Sequence, residues 1–230
     1  MDLKELFTSQ MFAMTVPEIV AAVTGVLSVW FAKKENILVY PVGIVSVLLY
    51  VYVFIGVKLY ADAGINFYYF IVSIYGWYYW KHGGRMQNKE GVEERPMDTV
   101  FDEKEKIAAE KEEASISMQT VGENLIYFLY TAIIALVLGI LLRNFTDSDI
   151  AWWDAGITAI FFVAMILMAK KKIENWIFWI VGDAAAIPLC IYKDLYFTAV
   201  QYLIFVIIAI AGFLAWYKKL QKQYNEQLSA

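Results

Sequence analysis

Asn175-Trp176-Ile177-Phe178-Trp179-Ile180-Val181-Gly182-Asp183 is the stretch that decides the fold. It lies within an apolar segment long enough to cross a bilayer. At 100° per helical residue, Trp176, Trp179 and Asp183 share one face. With about ten residues of helix on either side, Asp183 sits roughly 15 Å deep. A carboxylate turned to lipid there costs several kcal/mol, so it must face protein, water or a ligand. Two indole planes beside an acid make a receptor for a flat, cationic, polar ring. The plainer reading of the two tryptophans is as interfacial anchors.

The rest of the chain agrees with a membrane setting. Of its 230 residues 60% are hydrophobic and 17% aromatic, and the mean hydropathy is +0.54. That apolar fraction exceeds what soluble domains carry. The net charge of −4 sits in loops. No nucleic-acid partner, cofactor or metal is expected. One cysteine, Cys190, rules out a disulfide framework and multi-cysteine metal sites. His82 beside Gly83-Gly84 reads as a loop residue. Met1 to Thr15 has acids and no basic cluster before an apolar core, unlike a cleavable signal peptide.

Seven spans follow from the apolar runs, at about 16–32, 37–57, 61–81, 121–142, 150–169, 174–192 and 195–217. Lys33, Lys34, Lys81, Arg85, Lys170, Lys171, Lys172, Lys218, Lys219 and Lys222 flank one side, against Lys4, Lys58, Arg143 and Lys193 on the other. This bias predicts the first group in the cytoplasm, the N-terminus outside and the C-terminus inside. The segment 82–120 is the one soluble stretch. Its run Asp102-Glu103-Lys104-Glu105-Lys106 to Glu110-Lys111-Glu112-Glu113 suggests a solvated linker helix.

An internal repeat organises the spans. Leu59-Tyr60 answers Leu195-Tyr196, and Gly76 to Trp80 answers Gly212 to Trp216, both at an offset of 136 residues. Glu18 and Asp154 share that offset. Ala32-Lys33-Lys34-Glu35-Asn36 also answers the lysine-rich segment Ala169 to Asn175. The expected organisation is a first triplet over 1–81, a linker over 82–120, a connecting helix over 121–143, a second triplet over 144–217 and a tail over 218–230. An odd connecting helix leaves both triplets in the same orientation, an all-α membrane protein of parallel 3+1+3 design. In such proteins the substrate site lies between the halves near mid-membrane.

Four polar side chains occupy depths that a lipid-facing helix avoids: Ser46, Asn66, Asp183 and Gln201. Ser46, Asn66 and Gln201 are equally suited to joining helices. Asn175 adjoins the tryptophan pair, and Tyr50, Tyr68, Tyr69, Tyr75 and Tyr192 supply hydroxyl-bearing walls. Glu18 and Asp154 open their spans, where acids offset the helix dipole or serve at the outer mouth. Pro41 and Pro188 are candidate hinges or passive kinks. No HExxH, P-loop or Ser-His-Asp set occurs in the spans. Span seven has no lysine for a retinal Schiff base.

These residues resemble the PnuC family of bacterial vitamin transporters over nearly the whole chain. The resemblance rests on Asn36 to Gly43, Leu59-Tyr60, Tyr75-Gly76-Trp77 with Trp80, Trp153-Asp154, the Tyr196 segment, and Glu174-Asn175-Trp176 with Trp179 as the most specific. It implies a relative of the SWEET sugar-transporter fold in the inner membrane, commonly trimeric. It also implies facilitated diffusion, with a cytoplasmic kinase trapping the vitamin. The riboside branch is expected to carry Asn at the positions of Ser46 and Asp183, Gln at Asn66 and Glu at Gln201. The carboxylate here suits the amine and protonatable nitrogens of an aminopyrimidine. The absence of a further span before Glu18 in this sequence points the same way. Thiamine is therefore the expected substrate, with nicotinamide riboside as the close rival. A SWEET-type sugar carrier, a scaffold and an intramembrane enzyme are the readings of other classes.

Overall fold

A computed structural model describes residues 16–56, 58–83, 113–146 and 150–228. The linker helix expected over 102–113 lies outside them except for its last residue, Glu113. Seven helices follow in order: α1 Val16–Lys33, α2 Val39–Gly56, α3 Tyr60–His82, α4 Val121–Phe145, α5 Ala151–Ala169, α6 Asn175–Tyr192 and α7 Tyr196–Leu228. Each apolar run of the sequence has become one helix, because a segment of that length can satisfy its backbone only internally once out of water. Six of the seven are long and apolar enough to cross a membrane. The other is α3, whose six tyrosines and two tryptophans dilute its hydropathy.

The helix ends have local causes. Thr120 caps α4 in a capping box: its hydroxyl accepts from the Glu123 N–H at 3.2 Å, and Glu123 Oε2 accepts from the Thr120 N–H at 2.7 Å. Pro41 falls in the first turn of α2, where its missing N–H is not needed. Pro188 lies inside α6, which continues past it to Tyr192. α7 runs well beyond its expected end at 217. No glycine or proline follows Gly212, and Lys222 and Glu226 pair at 3.7 Å one turn apart on the extension.

Within each triplet consecutive helices pack side by side, α1 on α2 on α3 and α5 on α6 on α7. The triplets meet through α1 against α7 and α3 against α5, and α4 packs on α5. α5 is accordingly enclosed: Ala155, Ala159, Ala164, Leu167 and Ala169 have no exposed surface. Large apolar side chains such as Val121, Leu125, Phe128 and Phe145 cover the outside of α4. Such a face suits hydrocarbon rather than water.

The offset of 136 residues reappears in the contacts. Trp80 Nε1 donates to Met168 O at 3.0 Å, and Trp216 Nε1 donates to Ala32 O at 3.0 Å. Tyr40 meets Trp80 edge-on at 5.2 Å, as Trp176 meets Trp216 at 5.5 Å. Tyr40 lies over Gly76 and Trp176 over Gly212, where an added Cβ would come within 2.5 Å and 2.6 Å of a rigid ring. Among non-glycine residues, left-handed backbone occurs at Glu35 and Lys171 (φ 56° and 53°) and at Lys58 and Asp194 (φ 61° and 56°). The four rings, with Ile116 and Ile173, form the largest apolar core at the lysine-rich end of the bundle.

Candidate substrate-binding site

Asp183 is 2% exposed. On α6 it lies between Trp179, one turn before, and Ala186, one turn after. Both pack into a cluster with Ile157, Phe161, Tyr69 and Tyr202. Gly182 brings α6 close to α5, since a Cβ there would reach within 2.5 Å of the Phe161 ring. Phe161 holds the rings together: Trp179 lies 5.4 Å away at 31°, and Tyr202 stacks at 6.0 Å and 13°. The Tyr69 and Tyr202 side chains are close enough to Asp183 to interact with it electrostatically. Among the described residues, no ion pair or hydrogen bond of the Asp183 carboxylate is found. The acid thus faces protein, and no basic side chain is locked to it.

The other candidates separate into groups. Trp179 is half-buried beside the acid, and its indole N–H has no acceptor among the described residues. Trp176 shares that orphaned N–H but is fully buried one turn away, closed in by Trp216 and Gly212. Its ring face is therefore packed against protein. Asn175 is fully buried too: Nδ2 donates to Lys172 O at 2.6 Å, while Oδ1 lacks a partner among the described residues. Gln201 on α7 lies close to the Tyr50 side chain on α2, with Glu18 nearby. It is also the polar member of an apolar groove lined by Ala22, Val26, Phe197 and Ile204.

Three candidates have structural partners or lie apart. The Ser46 hydroxyl donates to Ala21 O at 2.7 Å and ties α2 to α1. Asn66 Nδ2 donates to Asp62 O at 2.9 Å within α3. Tyr192 ends α6 and is 63% exposed, away from the buried rings. Asp154 pairs with Lys193, at 2.8 Å and 2.9 Å to its two oxygens, so it is more than a helix-start acid.

Phe161 and Tyr202 are the site residues that sequence reasoning missed. Tyr202 stands 136 positions after Asn66, so the repeat offset applied strictly would have found it. Phe161, in the uniformly apolar α5, carried no such signal.

Long apolar helices around a buried acid and a ring cluster define a polytopic helical membrane carrier. The sequence profile described as nicotinamide mononucleotide transporter matches residues 15–218. The chain belongs to that family, the PnuC transporters of the inner membrane. It is 25% identical over 219 residues to the nicotinamide riboside transporter PnuC of Escherichia coli (strain K12), covering 92% of this chain and 89% of that one. The protein of the same name from Neisseria mucosa is 25% identical, with 90% of this chain and 74% of that one covered. The riboflavin/roseoflavin transporter RibM of Streptomyces davaonensis is 23% identical, with 87% and 84% covered. The crystal structure of the vitamin B3 transporter PnuC superposes with a TM-score of 0.66 at 25% identity, over 96% of this chain and 88% of that one. These relatives are named for nicotinamide riboside, vitamin B3 and riboflavin, and they do not support the expectation of thiamine.

Proposed function

We propose that this transporter carries nicotinamide riboside. The carrying observation is the Asp183 carboxylate, buried beside Trp179, Phe161 and Tyr202 with no cationic partner among the described residues. The riboside's pyridinium is a flat ring with a fixed positive charge. Aromatic faces and an acid together suit such a ring. The relatives named for the riboside favour it over thiamine, which the carboxylate alone had suggested. The orphaned indole N–H of Trp179 supports a polar ligand, because a buried donor left without an acceptor costs about 1–3 kcal/mol. The ribose hydroxyls and the carboxamide oxygen are acceptors of the required kind.

The matched contacts at an offset of 136 residues support a parallel 3+1+3 arrangement in which α3 is the seventh span. The site then lies where the triplets meet. The lysine bias favours the Lys171 end as cytoplasmic. Movement down the gradient, followed by phosphorylation in the cytoplasm, completes the reading. A trimer would place the apolar face of α4 against lipid or a neighbouring copy.

Uptake of labelled nicotinamide riboside into proteoliposomes tests the substrate. Unlabelled riboside should compete and thiamine should not. Efficient competition by thiamine, with none by the riboside, would reverse the assignment.

A further inference from the structure

The lysine-rich end is closed by groups that the substrate site does not use. Glu35 and Lys171 occupy equivalent left-handed positions in the α1–α2 and α5–α6 turns, and their side chains meet at 2.9 Å. Lys219, on the extension of α7, takes the other Glu35 oxygen at 2.6 Å. The Lys171 side chain is only 5% exposed. Its ammonium also donates to Ala114 O at 2.7 Å and lies 4.6 Å over the Trp80 ring.

Ala114 begins a strap that crosses this end. Its N–H donates to Trp80 O at 3.1 Å. The Ser117 N–H donates to Lys171 O at 3.1 Å, and the Ile173 N–H donates back to Ser117 O at 3.0 Å. The Gln119 N–H donates to Glu174 Oε1 at 2.8 Å. Ile116, 3% exposed, inserts among the four rings. Lys171 therefore joins three parts: the first triplet through Glu35, the second through its own turn, and the strap through Ala114. At the opposite end the Asp154–Lys193 pair stays within the second triplet.

We propose that Glu35 and Lys171, with the strap over 113–120, form a charge latch that holds this end shut beneath the ring site and opens to release substrate on that side. The proposal rests on reading the chain as a two-triplet carrier. Separation breaks both Glu35 pairs, since Lys171 and Lys219 belong to the second triplet. The Glu35 carboxylate then passes to the water that enters this end, while Lys171 keeps Ala114 O, because Ser117 holds the strap to the Lys171 turn. A pair that crosses the divide, and whose ends can take water or a carbonyl instead, can exist in two arrangements, the property a gate requires.

Hydrogen exchange of the purified full chain reads the strap directly and needs no substrate. A wrong substrate assignment would leave this result standing. Glu35→Gln should speed exchange at Ala114, Ser117, Gln119 and Ile173 by tenfold or more, with α4 unchanged. Lys171→Met should speed the same amides, and adding Glu35→Gln to it should speed them by less than the two single effects combined. A second readout separates a gate from a clip. Ala209→Cys, in the four-ring core and in a Cys190→Ser background, is exposed to a water-soluble thiol reagent in inside-out vesicles. Labelling should accelerate with Glu35→Gln and with Lys171→Met, again by less than additively when the two are combined. Unchanged strap exchange, a faster strap with unchanged labelling, or fully additive effects of the two substitutions would each overturn the latch. If Glu35→Gln fails to fold, Glu35→Asp gives the same readouts through a shorter reach.

Discussion

Asp183 and Trp179 carry the substrate reading at the scale of single residues. Asp183→Asn keeps the shape and removes the charge. It should weaken riboside binding about tenfold, or about 1.4 kcal/mol, measured by calorimetry on purified protein. Equal affinity would mean that the acid does not meet the cation. Trp179→Ala should cost about 1–2 kcal/mol of binding through the lost ring face. The sequence placed Trp176, Trp179 and Asp183 on one face, and the structure keeps them there. Their surroundings differ for a reason the local sequence does not hold. Gly212 stands opposite Trp176 and lets Trp216 close over it, while Trp179 lies against Phe161 and stays half-buried. Ser46 shows the same limit: its hydroxyl is used by a carbonyl twenty-five residues away.

At the scale of elements, matched positions make a sharp test. Trp80→Phe and Trp216→Phe each remove an indole that satisfies a buried carbonyl, Met168 O or Ala32 O. Each should lower stability by about 1–3 kcal/mol, read as similar drops in melting temperature. A large loss for one and none for the other would break the equivalence of the two triplets. Gly76→Ala and Gly212→Ala should also destabilise, because the new methyl meets the Tyr40 or Trp176 ring, which cannot yield without moving its neighbours. The helices themselves were legible, since an uncharged run of bilayer length has few other folds. Their ends were less so. The overrun of α7 is a polar, exposed helix, which hydropathy does not register, and α3 disguises its apolar role with tyrosine and tryptophan.

For the whole molecule, the ends of the bundle differ in how they are held. Burial raises the Glu35 pKa, but Lys171 and Lys219 outweigh it and leave the carboxyl below its ordinary 4.5. A lowered folded value means the stabilisation is full above 4.5 and is lost as pH falls through the folded pKa. Melting temperature should therefore hold from about pH 7 to about pH 5 and then fall, with Glu35→Gln flattening that acid limb. Identical acid limbs would show that the pair contributes nothing to stability. The repeat was visible in sequence through a few aromatic and glycine matches. The crossed hydrogen bonds, the paired left-handed turns and the strap were not, because each joins segments distant in the chain.

The account stands on a ring-shaped cation docking beside a buried carboxylate. Intrinsic tryptophan fluorescence of the purified protein, titrated with nicotinamide riboside and separately with thiamine, tests it most directly. Saturable quenching by the riboside is predicted, weakened in Asp183→Asn and abolished in Trp179→Ala. Quenching by thiamine alone, or riboside quenching that ignores both substitutions, would contradict it.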